Sequence, residues 1–77
     1  MSEVTKELDT SGLNCPMPIL RAKKALKELQ AGDILRITAT DPGSVKDFEA
    51  FAKQTGNELL ESTTEGEAFI YRLKKKG

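Results

Sequence analysis

ILRITATDPGSVKDFEAFAKQTG, residues 34–56, decides how this chain folds. Its first seven residues are rich in β-branched side chains, and Leu35, Ile37 and Ala39 alternate onto one face, the period of a strand. Asp41-Pro42-Gly43-Ser44 then carries turn chemistry, and Ser44-Val45-Lys46-Asp47 has the form of a capping box, with Asp47 as its acidic member. Beyond it the period changes. Val45, Phe48, Phe51, Ala52 and Thr55 share one side of a helix, and Gly56 ends it. A strand passing through a tight turn into an amphipathic helix is half of a layered α/β unit.

Working outward toward the N-terminus, Gly32 stands before this strand as the stop of an earlier helix. Residues 16–30 form that helix, with Ile19, Ala22, Leu26 and Leu29 on its apolar stripe and Pro16 at its first position, where a missing N–H costs nothing. Residues 4–9 precede it as a short strand with Val4 and Leu8 on one face. Toward the C-terminus, residues 58–64 and 67–75 read as a hairpin turning at Glu65-Gly66, with Gly66 supplying a positive φ and Phe69, Tyr71 and Leu73 pointing inward.

The order β-α-β-α-β-β predicts an α+β fold, a two-layer sandwich of a four-stranded mixed sheet against two helices. A right-handed crossover sets the first helix on one sheet face. The second joins it there most economically, leaving the other face partly open. Residues 1–77 read as a single domain near the lower size limit for a self-sufficient core.

Composition narrows the function. Lys plus Arg and Asp plus Glu both number 12, so no overall field favours nucleic acid, and direct nucleic-acid binding is not expected. Lys74-Lys75-Lys76 reads as a solvated basic end. No apolar run is long enough for a membrane and no leader precedes the domain, which points to the cytoplasm. The absence of histidine removes Cys-His catalysis and Cys/His zinc sites, and no metal site is expected.

One cysteine remains, in SGLNCPMPIL, residues 11–20. A helix beginning at Pro16 makes Cys15 its N-cap. Pro18 has no N–H, so only Met17 and, further along, Ile19 are left as donors to the sulfur. The positive end of the helix stabilises a thiolate there by ~0.3–1 kcal/mol, which makes a moderately activated nucleophile suited to exchange chemistry. The competing reading is a small buried hydrophobe. Against it, Ser, Thr, Asn or Asp would cap better, and a loop-to-helix junction is rarely deep in a core. Gly12 in the preceding loop reads as a positive-φ position, and Asp9 as a brace for that loop.

Met17, Leu20, Arg21 and Lys24 fall on the helix side opposite its apolar stripe. Between residues 21 and 28 the cations Arg21, Lys23, Lys24 and Lys27 face Glu28 alone, so this surface reads as a docking patch for an acidic-rimmed partner. The plainer alternative has Met17 covering the loop and Leu20 packing on the sheet rim.

LDTSGLNCPMPIL, residues 8–20, resembles the signature of the TusA/SirA-like sulfur carrier family: Leu8-Asp9, Gly12-Leu13, then Cys15-Pro16-x-Pro18. The similarity continues through Gly32, Asp41-Pro42 and Asp47 and covers residues 6–74. The resemblance implies the same β-α-β-α-β-β sandwich. It implies that Cys15 carries sulfur as a covalent persulfide with no separate cofactor, and that Pro16 and Pro18 shape its helix end. A cysteine desulfurase or a rhodanese would load the sulfur, and a DsrE-type relay protein would receive it. The routes implied are tRNA thiolation, molybdenum cofactor chemistry or oxidation of reduced sulfur, and Arg21 transfers as a partner contact. Members serving tRNA thiolation often have an acidic residue between the prolines, where this chain has Met17. Such a carrier acts only with partner enzymes. The reading from a different class is a non-catalytic regulatory module that binds through the Met17/Leu20/Arg21/Lys24 face.

Overall fold

The structure is a computed structural model that describes residues 4–14 and 16–76. Strand β1 (Lys6–Thr10), helix α1 (Met17–Lys27), strand β2 (Ile34–Ala39), helix α2 (Ser44–Thr55) and strands β3 (Glu58–Glu65) and β4 (Ala68–Lys74) follow in the expected order. The sheet runs β1-β2-β4-β3. β1 lies parallel to β2, while β4 is antiparallel to both β2 and β3. Neither helix crosses to the other face, and the short axis of the molecule spans only 17 Å.

The core lies between the layers. Leu35, Ile37 and Ala39 of β2 and Tyr71 and Leu73 of β4 meet Ala22, Ala25 and Leu26 of α1 and Phe48, Phe51 and Ala52 of α2. Leu8, Val45 and Phe69 pack against its margin. Phe48 stacks on Tyr71 with ring centroids 4.6 Å apart and meets Phe51 edge-on at 6.4 Å.

Several local expectations change. α1 begins one residue later than the sequence suggests: Pro16 is its cap and Pro18 its second residue, because Pro16 O accepts the first helical bond, from Leu20 N–H. It also ends sooner, at Lys27, with Glu28 right-handed. Leu29 remains buried beyond the helix, and Gly32 (φ +91°) serves the turn into β2 instead of a helix cap. Ser44 is not a cap either. Gly43 holds that position, and the Ser44 hydroxyl is buried, 2.7 Å from Tyr71 Oη. Packing won that residue because the phenol needs a partner inside the core. Thr55 is exposed at the end of α2 and returns its hydroxyl to Phe51 O.

The basic end is not simply solvated. Lys75 pairs through its main chain with Gly32 and Asp33, and its Nζ donates to Leu29 O. Lys76 N–H donates to Asn57 Oδ1. The Lys75 ammonium thus meets a carbonyl just beyond the negative end of α1.

Candidate functional site

Because β1 and β2 are parallel, the loop after each emerges at the same end of the sheet. The loop after β1 runs through Gly12, Asn14 and Pro16 into α1, and the loop after β2 runs through Thr40, Asp41 and Pro42 into α2. Thr10, fully buried at the end of β1, donates its hydroxyl to Thr38 O at 2.6 Å. Gly12, at φ +81°, donates its N–H to Thr40 Oγ1 at 2.8 Å. Asp9 does brace the loop: its Oδ1 accepts Ser11 N–H at 2.9 Å. Hydrogen bonding from Ser11, side chain first and then main chain, holds the Asp9 carboxyl below its ordinary range.

The start of α1 is short of donors for two separate reasons. Met17 N–H is already spent on Asn14 O at 2.8 Å, which removes it as a donor to sulfur. Pro18 has none to offer. Ile19 N–H is the first-turn donor left without a partner among the described residues. No acidic side chain stands in the first turn, so none of its own carboxylates competes for the positive end of the helix. Cys15 itself lies outside the described residues, and the cap position expected of it belongs to Pro16.

Outside the core stripe, α1 presents Met17 (38% exposed) and Leu20 (50% exposed), with Arg21 and Lys24 exposed beside them. The structure therefore groups all four patch residues on one solvent-facing surface and rejects the packing alternative for Leu20. Beside Pro16 a hollow of about 230 Å³ opens between the helices, walled by Ile19, Ala50 and Phe51 with Asp47 and Gln54 at its rim.

Residues 6–75 match the family described as Sulfurtransferase TusA. The chain belongs to the TusA family. It is 63% identical over 75 residues to the sulfur carrier protein TusA of Allochromatium vinosum, covering 97% of this chain and 99% of that one. The TusA of Pseudomonas entomophila is 41% identical, over 90% of this chain and 86% of its own. A SirA-like protein from Desulfitobacterium hafniense superimposes with a TM-score of 0.81 at 26% identity, covering 94% of this chain and 99% of that one.

In this TusA-family chain the structure brings Gly12, Pro16, Pro18 and Met17 to one end of the fold and extends the site along α1 through Leu20, Arg21 and Lys24. Thr40 is the residue that reading the sequence missed. Its place beside Gly12 follows from strand adjacency, and no local pattern signals a contact between residues 28 apart.

Proposed function

We propose that this protein is a sulfur carrier that holds sulfur as a persulfide on Cys15 and passes it between partner enzymes. The Cys15 thiolate attacks the outer sulfur of a persulfide on the donor, a cysteine desulfurase or a rhodanese. The donor's S–S bond breaks, its cysteine leaves as a thiolate, and a new S–S bond stands on Cys15. A thiolate on the acceptor, a DsrE-type relay protein, then attacks that outer sulfur and releases Cys15. Each step exchanges one S–S bond for another, so no external oxidant is required.

The observation that carries this reading is the family match through residues 6–75, with Cys15-Pro16-Met17-Pro18 at the start of α1. The helix end supports it physically. An anionic outer sulfur gains from the dipole and from a first-turn N–H such as that of Ile19, which has no partner among the described residues. No dissociable cofactor enters these steps. Met17 between the prolines favours a relay other than tRNA thiolation, since the docking surface lacks the acid often found in that branch.

Exposure of Met17 and Leu20 beside Arg21 and Lys24 also favours a second reading, a regulatory module that binds a partner through this face without sulfur chemistry. One experiment separates the two. Intact-protein mass spectrometry follows incubation with cysteine and a desulfurase, or with thiosulfate and a rhodanese. The carrier reading expects a reductant-sensitive gain of one sulfur atom, absent from Cys15→Ser. The regulatory reading expects no gain, and partner binding that survives Cys15→Ser but not Arg21→Glu with Lys24→Glu.

A further inference from the structure

Within the described part of the loop that leads to Cys15, one main-chain bond reaches a distant element, and we propose that Thr40, which accepts it, is a positioning residue for the thiol. The inference rests on the carrier reading of Cys15. Among the described residues 11–14, the other main-chain bonds are local: Ser11 N–H to Asp9 Oδ1, Leu13 N–H to Thr10 O, and Asn14 O from Met17 N–H. Gly12 alone reaches a distant element, donating to Thr40 Oγ1 at 2.8 Å.

Thr40 is itself well supported. It directly follows β2 and precedes Asp41, whose main-chain oxygen accepts Ser44 N–H at 2.9 Å and whose Oδ1 accepts Gly43 N–H at 3.1 Å. Ser44 is fully buried and bonded to Tyr71 in the core. A continuous path of covalent and hydrogen bonds therefore runs from the core through the loop after β2 to Gly12. On the loop side, no other hydrogen bond of the described residues 11–14 leaves the loop's own neighbourhood. A Cβ built at Gly12 would meet no atom within 4 Å, so hydrogen bonding and not packing sets the loop's orientation there.

The consequence for the thiol follows from distance. Stabilisation by a helix dipole falls off within the first turn, and group transfer is sensitive to misplacement of about 1 Å. Releasing the loop at Thr40 would loosen the chain that leads into Cys15 and with it the positioning of the thiol.

Thr40→Val keeps the β-branched shape and removes the acceptor, while Thr40→Ser keeps the hydroxyl. In the full-length protein, Cys15 alkylation by iodoacetamide is followed against pH, alongside persulfide loading from cysteine and a desulfurase and the melting temperature. For Thr40→Val the alkylation midpoint should move toward the ordinary thiol value of ~8.5, and loading should slow about tenfold. Thr40→Ser should restore both to within about twofold of wild type. A lower melting temperature with unchanged profile and loading would make Thr40 merely structural and overturn the proposal, as would Thr40→Ser behaving like Thr40→Val. Should the wild type take no sulfur from cysteine and a desulfurase, nor from thiosulfate and a rhodanese, the carrier reading fails, while the alkylation profile still decides the role of Thr40.

Discussion

Arg36 and Arg72 stand directly opposite each other on β2 and β4, on the sheet face that no helix covers. Like charges in that relationship repel across ~5 Å between Cβ atoms. Their flanking partners resolve the conflict, because the same row continues to Glu7 on β1 and Glu61 on β3. Arg36 Nη1 donates to Glu7 Oε1 at 3.3 Å. Arg72 Nε, buried, lies 2.8 Å from Glu61 Oε1 but off the line of a hydrogen bond, so charge holds that pair. A row of acid, base, base, acid thus crosses the open face.

Removing the outer charge exposes the central repulsion. Glu61→Gln should destabilise the fold by ~0.5–1 kcal/mol at low salt, with the loss shrinking as salt rises. Glu7→Gln should cost less, because the Glu7 side chain is 71% exposed against 37% for Glu61. Urea unfolding at two ionic strengths checks both.

The only tyrosine reports on the core. Burial, against a smaller opposing contribution from the Ser44 hydrogen bond, holds the Tyr71 phenol above its ordinary value. The unfolded chain therefore loses this proton first as the pH rises. Stability is full below the ordinary tyrosine value and falls as the pH climbs past it toward the higher folded value. Tyrosinate absorbance should lag behind that of the urea-unfolded chain. Tyr71→Phe removes this alkaline sensitivity but strands the Ser44 hydroxyl, costing ~1–3 kcal/mol near neutrality, part of which Ser44→Ala in the same chain should recover.

Gly12 is required for its conformation and not for space. Gly12→Ala places a side chain at φ +81° against open surroundings. The expected loss is ~1–2 kcal/mol with no clash to relieve, and Gly12→Asn should lose less because asparagine tolerates this region. Chemical unfolding of both variants gives the comparison.

Met17→Glu should move two measurements in opposite directions. A carboxylate at the first position of α1 favours the helix by ~0.3–1 kcal/mol and raises the melting temperature slightly. The same charge, two residues from the sulfur, disfavours the thiolate, so Cys15 alkylation near neutral pH should slow. Slower alkylation in Met17→Gln as well would point to side-chain shape as the cause.

The parts of this protein legible in its sequence are those governed by neighbours along the chain. Alternation of Leu35, Ile37 and Ala39 marked β2, and the helical spacing of Val45, Phe48, Phe51 and Ala52 marked α2, because side-chain direction has a fixed period in each structure. Positive φ at Gly12 and Gly66 was equally readable, as was the helix stop at Gly56. The exposed quartet Met17, Leu20, Arg21 and Lys24 followed from the same geometry once the apolar stripe of α1 was assigned. Helix ends were less legible. The sequence placed Pro16 at the first position of α1, and the bond from Leu20 N–H to Pro16 O makes it the cap instead.

Element type and order, and a lone cysteine beside two prolines at a helix start, were therefore determined by sequence alone. Tertiary structure decided the strand order β1-β2-β4-β3 and every contact that depends on it. Thr40 meets Gly12 across 28 residues, Ser44 meets Tyr71 across 27, and Lys75 reaches Leu29 across 46. Such pairings carry no periodic signature. They exist because burial of one sheet face under two helices places particular strands side by side, and the buried or terminal polar groups then bond to whichever partner that placement provides.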